Sequence, residues 1–152
     1  MTRQADIRAA TLRDIGQLLP LVEQYWRFEA IEGFDAARIT GLLERVINDA
    51  SLGHVWFATV DGAPAGYLLA VYVFSLEHQG LTAEIDEFFV LSSYRGMGLG
   101  RDLLHMAEHK FRDRGCTNVA LQIGRDNDVA RAFYRAHGYL DRAGFELVDK
   151  SL

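Results

Sequence analysis

The stretch Glu84–Gly100, EIDEFFVLSSYRGMGLG, limits what this chain can fold into more than any other part of it. An apolar strand carrying three acids runs straight into a glycine-rich loop, and the loop opens an amphipathic helix beginning near Arg101. Strand, glycine loop and helix N-terminus in that order make an anion cradle. Backbone N–H groups point out of the loop, and the helix end adds about half a positive charge. Glycines let the backbone approach a bulky anion and reach positive φ. The arrangement predicts a phosphorylated ligand, with acids just upstream that can do chemistry beside it.

Two familiar phosphate loops do not fit. A Walker loop needs a Lys-Ser/Thr pair after its last glycine, whereas Gly100 is followed by Arg101 and Asp102. A dinucleotide fingerprint needs G-x-G-x-x-G, whereas Gly96, Gly98 and Gly100 read G-x-G-x-G, and the first acid beyond the next strand, Asp126, comes late. The order R-G-x-G-x-G after a strand ending in F-V-L resembles the cofactor loop of the GNAT superfamily of N-acetyltransferases. That resemblance implies that Arg95, Gly96, Met97, Gly98, Leu99, Gly100 and Arg101 hold the pyrophosphate of acetyl-coenzyme A. An ordinary tight strand-to-helix turn is the alternative.

A chain of 152 residues, 49% hydrophobic and 24% charged, fits one soluble globular domain, expected to span residues 1–152. No apolar run reaches the roughly 18 residues of a membrane helix, so no membrane partner is expected. The start, MTRQADIRAAT, lacks the apolar core of a signal peptide, and the single cysteine, Cys116, rules out an internal disulfide framework. Both suit the cytoplasm. The net charge of −5 is unevenly spread: residues 1–94 hold 6 basic and 13 acidic side chains, residues 95–135 hold 8 and 5. The basic third coincides with the glycine loop, and the acidic remainder is a poor surface for nucleic acid, which is not expected as a partner.

Thr11 with Asp14 makes an N-cap box, and Leu12, Ile15, Leu18, Leu19, Val22 and Trp26 follow at helical spacing, with Pro20 expected to kink the helix. Asp35 caps a second helix with a stripe of Ile39, Leu42, Leu43, Val46 and Ile47. His54–Val60 is a strand, Asp61-Gly62 a hairpin turn, Ala65–Leu76 a central strand, and Glu84–Leu91 the next. The helix after the loop buries Leu103, Leu104, Ala107 and Phe111. Asn118–Ile123 is a strand. Asp126 or Asn127 caps a short helix with Val129, Ala132 and Phe133 inward, and Gly144–Asp149 is a last strand. With a first strand near Asp6–Ala10, expected mainly from the resemblance, the fold class is α/β (α+β): a central, mixed, mostly antiparallel twisted sheet with helices on both faces.

Acetyl transfer to an amine fits the residues at hand. An amine of pKa about 10.4 is protonated at neutral pH, so a carboxylate must take its proton, directly or through water. Glu84, Asp86 and Glu87 are the candidates. Strand alternation puts Glu84 and Asp86 on one face and Glu87 on the other, unless a bulge intervenes. At least one of the three is expected to pair with an arginine instead. The resemblance implies a bulged strand whose backbone at Phe89, Val90 and Leu91 meets the pantetheine arm and the thioester oxygen. It also implies that Asn127, Arg131 and Tyr134 belong to the cofactor site, with Tyr134, of the pair Phe133-Tyr134, as general acid to the leaving thiolate. D-E-F-F-V-x-x-x-Y-R-G-x-G-x-G is locally similar to the spermidine/spermine and other small-amine acetyltransferases, which puts Asp86 in the base role and Glu87 in contact with the amine. Trp26, Phe28 and Glu29, after the first helix, are expected to line the acceptor pocket. His105 and His109 match H-x-x-E-H, but at 100° per residue they fall opposite the apolar stripe, and no metal is expected.

The acceptor is thus expected to be a small-molecule amine. A protein lysine or N-terminus is the first alternative, and a non-catalytic acyl-coenzyme A sensor the second. A homodimer stays open as a partner state.

Overall fold

The computed structural model describes residues 2–152. The chain divides into two compact units, the second beginning at Gln122. In the first unit the elements run β1 (Ala5–Ala9), α1 (Ile15–Phe28), α2 (Ala36–Asn48), β2 (Gly53–Val60), β3 (Ala63–Ser75), β4 (Gly80–Val90), α3 (Leu99–Asp113) and β5 (Val119–Leu121). The five strands form one sheet in sequence order, antiparallel except for the parallel pair β4–β5. Asp61 and Gly62, both at positive φ, turn β2 into β3.

Strand alternation divides the core between the two faces of the sheet. On one face Val55, Phe57, Tyr67 and Phe89 pack under α1 and α2, against Leu18, Leu21, Val22, Leu43 and Val46. On the other α3 lies against β2, β3 and β4, with Phe111 edge-on to Trp56 and Tyr72. In this first unit the predicted helices and strands are present, with shifted ends. α1 runs through Pro20 without interruption. β4 begins four residues earlier than expected and β5 is shorter. Of the α2 stripe, Leu42 is 54% exposed while Ile39, Leu43 and Val46 are buried.

The start of α1 is tied to β1 by charge. Asp14 accepts two bonds from the Arg8 guanidinium, at 2.7 and 2.8 Å, and one from the Thr11 N–H at 2.7 Å. It is 5% exposed, and the Arg8 bonds hold its carboxyl down at about 2.

The second unit holds α4 (Asp128–Ala136), capped by the Asn127 side chain, which accepts from the Ala130 N–H at 3.1 Å. Two sequence expectations fail here. Val129 and Ala132 are exposed and Phe133 is half-buried, whereas Tyr134 is buried, its ring between those of Phe133 and Tyr139. A nine-residue helix has too few turns for its apolar spacing to decide which side is covered. Residues 144–149 form no strand, and Phe145, Leu147 and Val148 are exposed. An apolar run becomes a strand only where a neighbour supplies the ladder. Among the described residues no helix is long and apolar enough to cross a membrane.

Candidate active site

The acids of β4 are arranged by one extra residue. Leu69 pairs with Glu87 and Ala70 with Ile85, so Asp86 is unmatched on β3 and β4 bulges there. Strict alternation had put Asp86 and Glu87 on opposite faces. The bulge resets the phase, and both carboxylates line one cleft under α1 and α2. Glu84 does not line it. The cleft has a volume of about 230 Å³. Its remaining wall comes from Val22 and Trp26 of α1, from Ile39, Leu42, Leu43 and Val46 of α2, and from Leu69 of β3.

Glu87 is held from both sides by neutral donors. The Trp26 indole N–H donates to Oε2 and the Tyr67 hydroxyl to Oε1, each at 2.8 Å. Burial pushes its carboxyl above the ordinary carboxylate range. The two hydrogen bonds oppose that shift, and the neighbouring Asp86 charge adds to it. Asp86 accepts no hydrogen bond among the described residues and remains accessible to water. The surrounding cleft walls still raise its carboxyl by desolvation. None of Glu84, Asp86 and Glu87 forms an ion pair with an arginine among the described residues, contrary to the sequence expectation.

Tyr67 is the residue that sequence reasoning missed. It has no exposed surface and its hydroxyl is pushed strongly upward by burial and by the Glu87 charge, so it stays protonated and donates. Its signal was present: a tyrosine in a strand apolar on both faces needs a buried partner for its hydroxyl. Tyr25, edge-on to Tyr67, is raised in the same way by burial and by the charges of Glu29, Glu87 and Asp86.

The other expected acceptor residues lie apart from the cleft wall. Phe28 is 60% exposed, with its ring 6.3 Å from that of Phe89, and Glu29 is the exposed C-cap of α1. Arg95 braces the end of β4: its Nε donates to the Val90 carbonyl at 2.9 Å, and its guanidinium lies 5.6 and 5.8 Å from the Phe28 and Phe89 rings.

Beyond the bulge, β4 outruns its parallel neighbour. The β4–β5 pairing covers only Ala83–Ile85, so Asp86–Val90 continues past the last rung. The Leu91 N–H donates to the Ala65 carbonyl at 2.9 Å and therefore points toward β3. By alternation Phe89 points the same way, and the Val90 N–H and carbonyl point away from β3. Of the three expected positions, Val90 is the one whose backbone faces outward. The side chain of Phe89 belongs to the core.

The glycine loop then leads into α3. Gly98 is the N-cap with φ 85, and Gly96 has φ 79. Both angles favour glycine, and a Cβ on Gly98 would come within 2.8 Å of the Arg101 guanidinium. Among the described residues no side chain caps this helix, and its first internal bond is from the Asp102 N–H to the Gly98 carbonyl. The N–H groups of Gly98, Leu99, Gly100 and Arg101 are the first-turn donors, which have no intrahelical acceptor. The side chain of Leu99 is buried, so only its backbone can serve, while Met97 is exposed. Arg101 pairs with Asp102 at 3.0 Å.

The last expected site residues, Asn127, Arg131 and Tyr134, are in the second unit. Asn127 caps α4. Arg131 and Arg135 both pair with Asp141, at 3.1 and 2.6 Å. His105 and His109 are exposed on α3.

Comparison with known proteins agrees with this architecture. An uncharacterized N-acetyltransferase of Archaeoglobus fulgidus is 35% identical over 81 residues, which is 53% of this chain, and the chain spans only 55% of that relative's length. The aminoalkylphosphonate N-acetyltransferase of Salmonella typhimurium is 27% identical over 135 residues, covering 88% of this chain and 84% of that one. The aminoglycoside N-acetyltransferase AAC(6')-Iy, solved in complex with CoA, shares the fold with a TM-score of 0.83 at 18% identity, covering 100% of this chain and 96% of that chain. A sequence profile described as the acetyltransferase (GNAT) family matches residues 18–139, most of the chain, and the protein belongs to that family.

Proposed function

We propose that this protein is an N-acetyltransferase that moves an acetyl group from acetyl-coenzyme A to the primary amine of a small molecule. The observation that carries the reading is the bulge at Asp86. It sets two carboxylates with raised pKa side by side in one cleft, on the strand that runs directly into an uncapped, glycine-rich helix N-terminus. Relatives and neighbours that act on small amines, an aminoalkylphosphonate and an aminoglycoside, support the acceptor class.

The residues fit the cosubstrate. Positive φ at Gly96 and Gly98 and the uncapped first turn of α3 suit a pyrophosphate, and the outward Val90 N–H suits an acyl oxygen. When bound, acetyl-coenzyme A supplies the activated acetyl group. Asp86, reached by water, takes the proton of the ammonium and leaves its lone pair free to attack. Its raised pKa brings it closer to the working pH, where a base is most effective. Glu87 keeps its charge through Tyr67 and Trp26 and holds the amine beside Asp86. The Val90 N–H donates to the oxygen on which negative charge develops. Tyr134 is the general acid that the family resemblance implies, and its hydroxyl would supply the proton that the leaving thiolate needs.

The test is transfer to an amine panel, with cofactor binding read separately by thermal shift. Acetyl-coenzyme A should raise Tm by mass action, and Gly98→Glu, which adds bulk and negative charge to the cradle, should abolish the rise. Binding without turnover would make the protein a sensor. Tyr134→Phe should leave the thermal shift intact and lower kcat about 10- to 1000-fold. Full kcat would remove Tyr134 from the reaction.

A further inference from the structure

The cleft also restricts which amine can enter, given the acetyl-transfer reading on which this inference rests. Its volume of about 230 Å³ compares with roughly 150 Å³ for a dry engineered cavity that takes benzene. On that scale it holds a body of about nine heavy atoms. The wall contributed by α2 and β3 is entirely aliphatic, and among the described residues the only charged groups lining the cleft are Asp86 and Glu87. These are adjacent in sequence at the bulge, so negative charge is confined to one end.

Two consequences follow. Among the described residues no lysine, arginine or histidine lines the cleft, so a distal phosphonate or carboxylate on the acceptor would meet apolar side chains and two like charges. A second ammonium further along the acceptor would lie on aliphatic surface, away from both acids, and lose its solvation without a partner. Glu87, for its part, is held by two neutral donors and has no counter-cation of the protein's own among the described residues. The ligand must bring one positive charge, at one end.

We propose that the acceptor is a monoamine with an apolar, aryl-alkyl or alkyl body of about nine heavy atoms, its ammonium at the Asp86–Glu87 end and its body along α2. The same wall disfavours polyamines, aminoglycosides and amines with an acidic tail.

The experiment compares kcat/KM for phenethylamine and hexylamine with spermidine, 2-aminoethylphosphonate and a peptide with an N-terminal leucine. Acetyl-coenzyme A binding is followed in parallel by thermal shift. Phenethylamine should lead spermidine and the phosphonate by about 100-fold or more, since rejecting an unpaired buried charge outweighs the gain or loss of a methylene. Leu42→Lys then places an ammonium at the cleft on a side chain that is 54% exposed, so the fold tolerates it. That variant should shift the ratio of phosphonate to phenethylamine at least about tenfold toward the phosphonate. Comparable rates for spermidine or the phosphonate, faster acetylation of the peptide, or a ratio unmoved by Leu42→Lys would overturn the acceptor class while acetyl transfer stands. Cofactor binding with no transfer to any amine would overturn both.

Discussion

Asp14 and Glu87 are both sequestered carboxylates that accept short hydrogen bonds, yet their environments move their pKa values in opposite directions. Asp14 faces the Arg8 guanidinium and is held at about 2. Glu87 faces an indole N–H and a phenol, and burial raises it. Neutral donors satisfy the oxygens without neutralising the charge. The Asp14 pair is complete within the fold and anchors β1 to α1. Glu87, with Asp86 beside it in the cleft, has no counter-cation among the described residues. A buried carboxylate with its own arginine reads as structure, and one with only neutral donors reads as a site.

Replacing Asp86 by Asn should have the largest effect on this contrast. Transfer to a protonated amine should fall about 100- to 10,000-fold in kcat/KM, with loss of the acidic limb of its pH profile. Because the fold disfavours the ionised form of Asp86, Tm at neutral pH should hold or rise. Initial rates across pH together with thermal melts decide it, and an unchanged profile would pass the base role to another acid.

Asp14→Asn should do the reverse. It should cost about 2 kcal/mol of stability at pH 7 and leave turnover per folded molecule unchanged. The folded pKa of about 2 lies below the unfolded value near 3.9, so this stabilisation is present above roughly pH 5 and is lost as pH falls toward 2. Urea melts at pH 7 and pH 3 should therefore show the wild type losing part of its advantage over the variant at the lower pH. A constant difference would mean that the pair contributes by shape alone.

The smallest expected change is the most diagnostic of Tyr67. Tyr67→Phe keeps the ring and removes a bond that favours ionised Glu87, so the Glu87 carboxyl should rise further. The pH at which KM begins to climb should move upward with it, with kcat at high pH nearly constant. A purely packing role would lower Tm and leave the KM profile in place.

Much of this was legible along the chain because it is local. The Thr11–Asp14 and Asp35 caps, the Asp61-Gly62 turn, the α3 stripe and the glycine loop each depend on neighbours within a few residues, and the structure reproduces them. The α4 stripe failed because so short a helix leaves the choice of covered face to its surroundings, and residues 144–149 failed because an alternating pattern does not supply a ladder partner.

The sequence by itself determined that a strand bearing Glu84, Asp86 and Glu87 would feed a glycine loop and a helix start, since strand, glycines and helix are contiguous and obey local sterics. It did not determine which acids share a face. That was decided where β4 pairs with β3: one unmatched residue at Asp86 rotates the phase of everything upstream, and a side-chain period of two converts a single-residue shift into a change of face. Nor did it place Tyr67 and Trp26, 20 and 61 residues away, on the two oxygens of Glu87. Contacts at such separations exist only once the sheet and α1 have packed, so the chemistry of that carboxylate belongs to the tertiary structure alone.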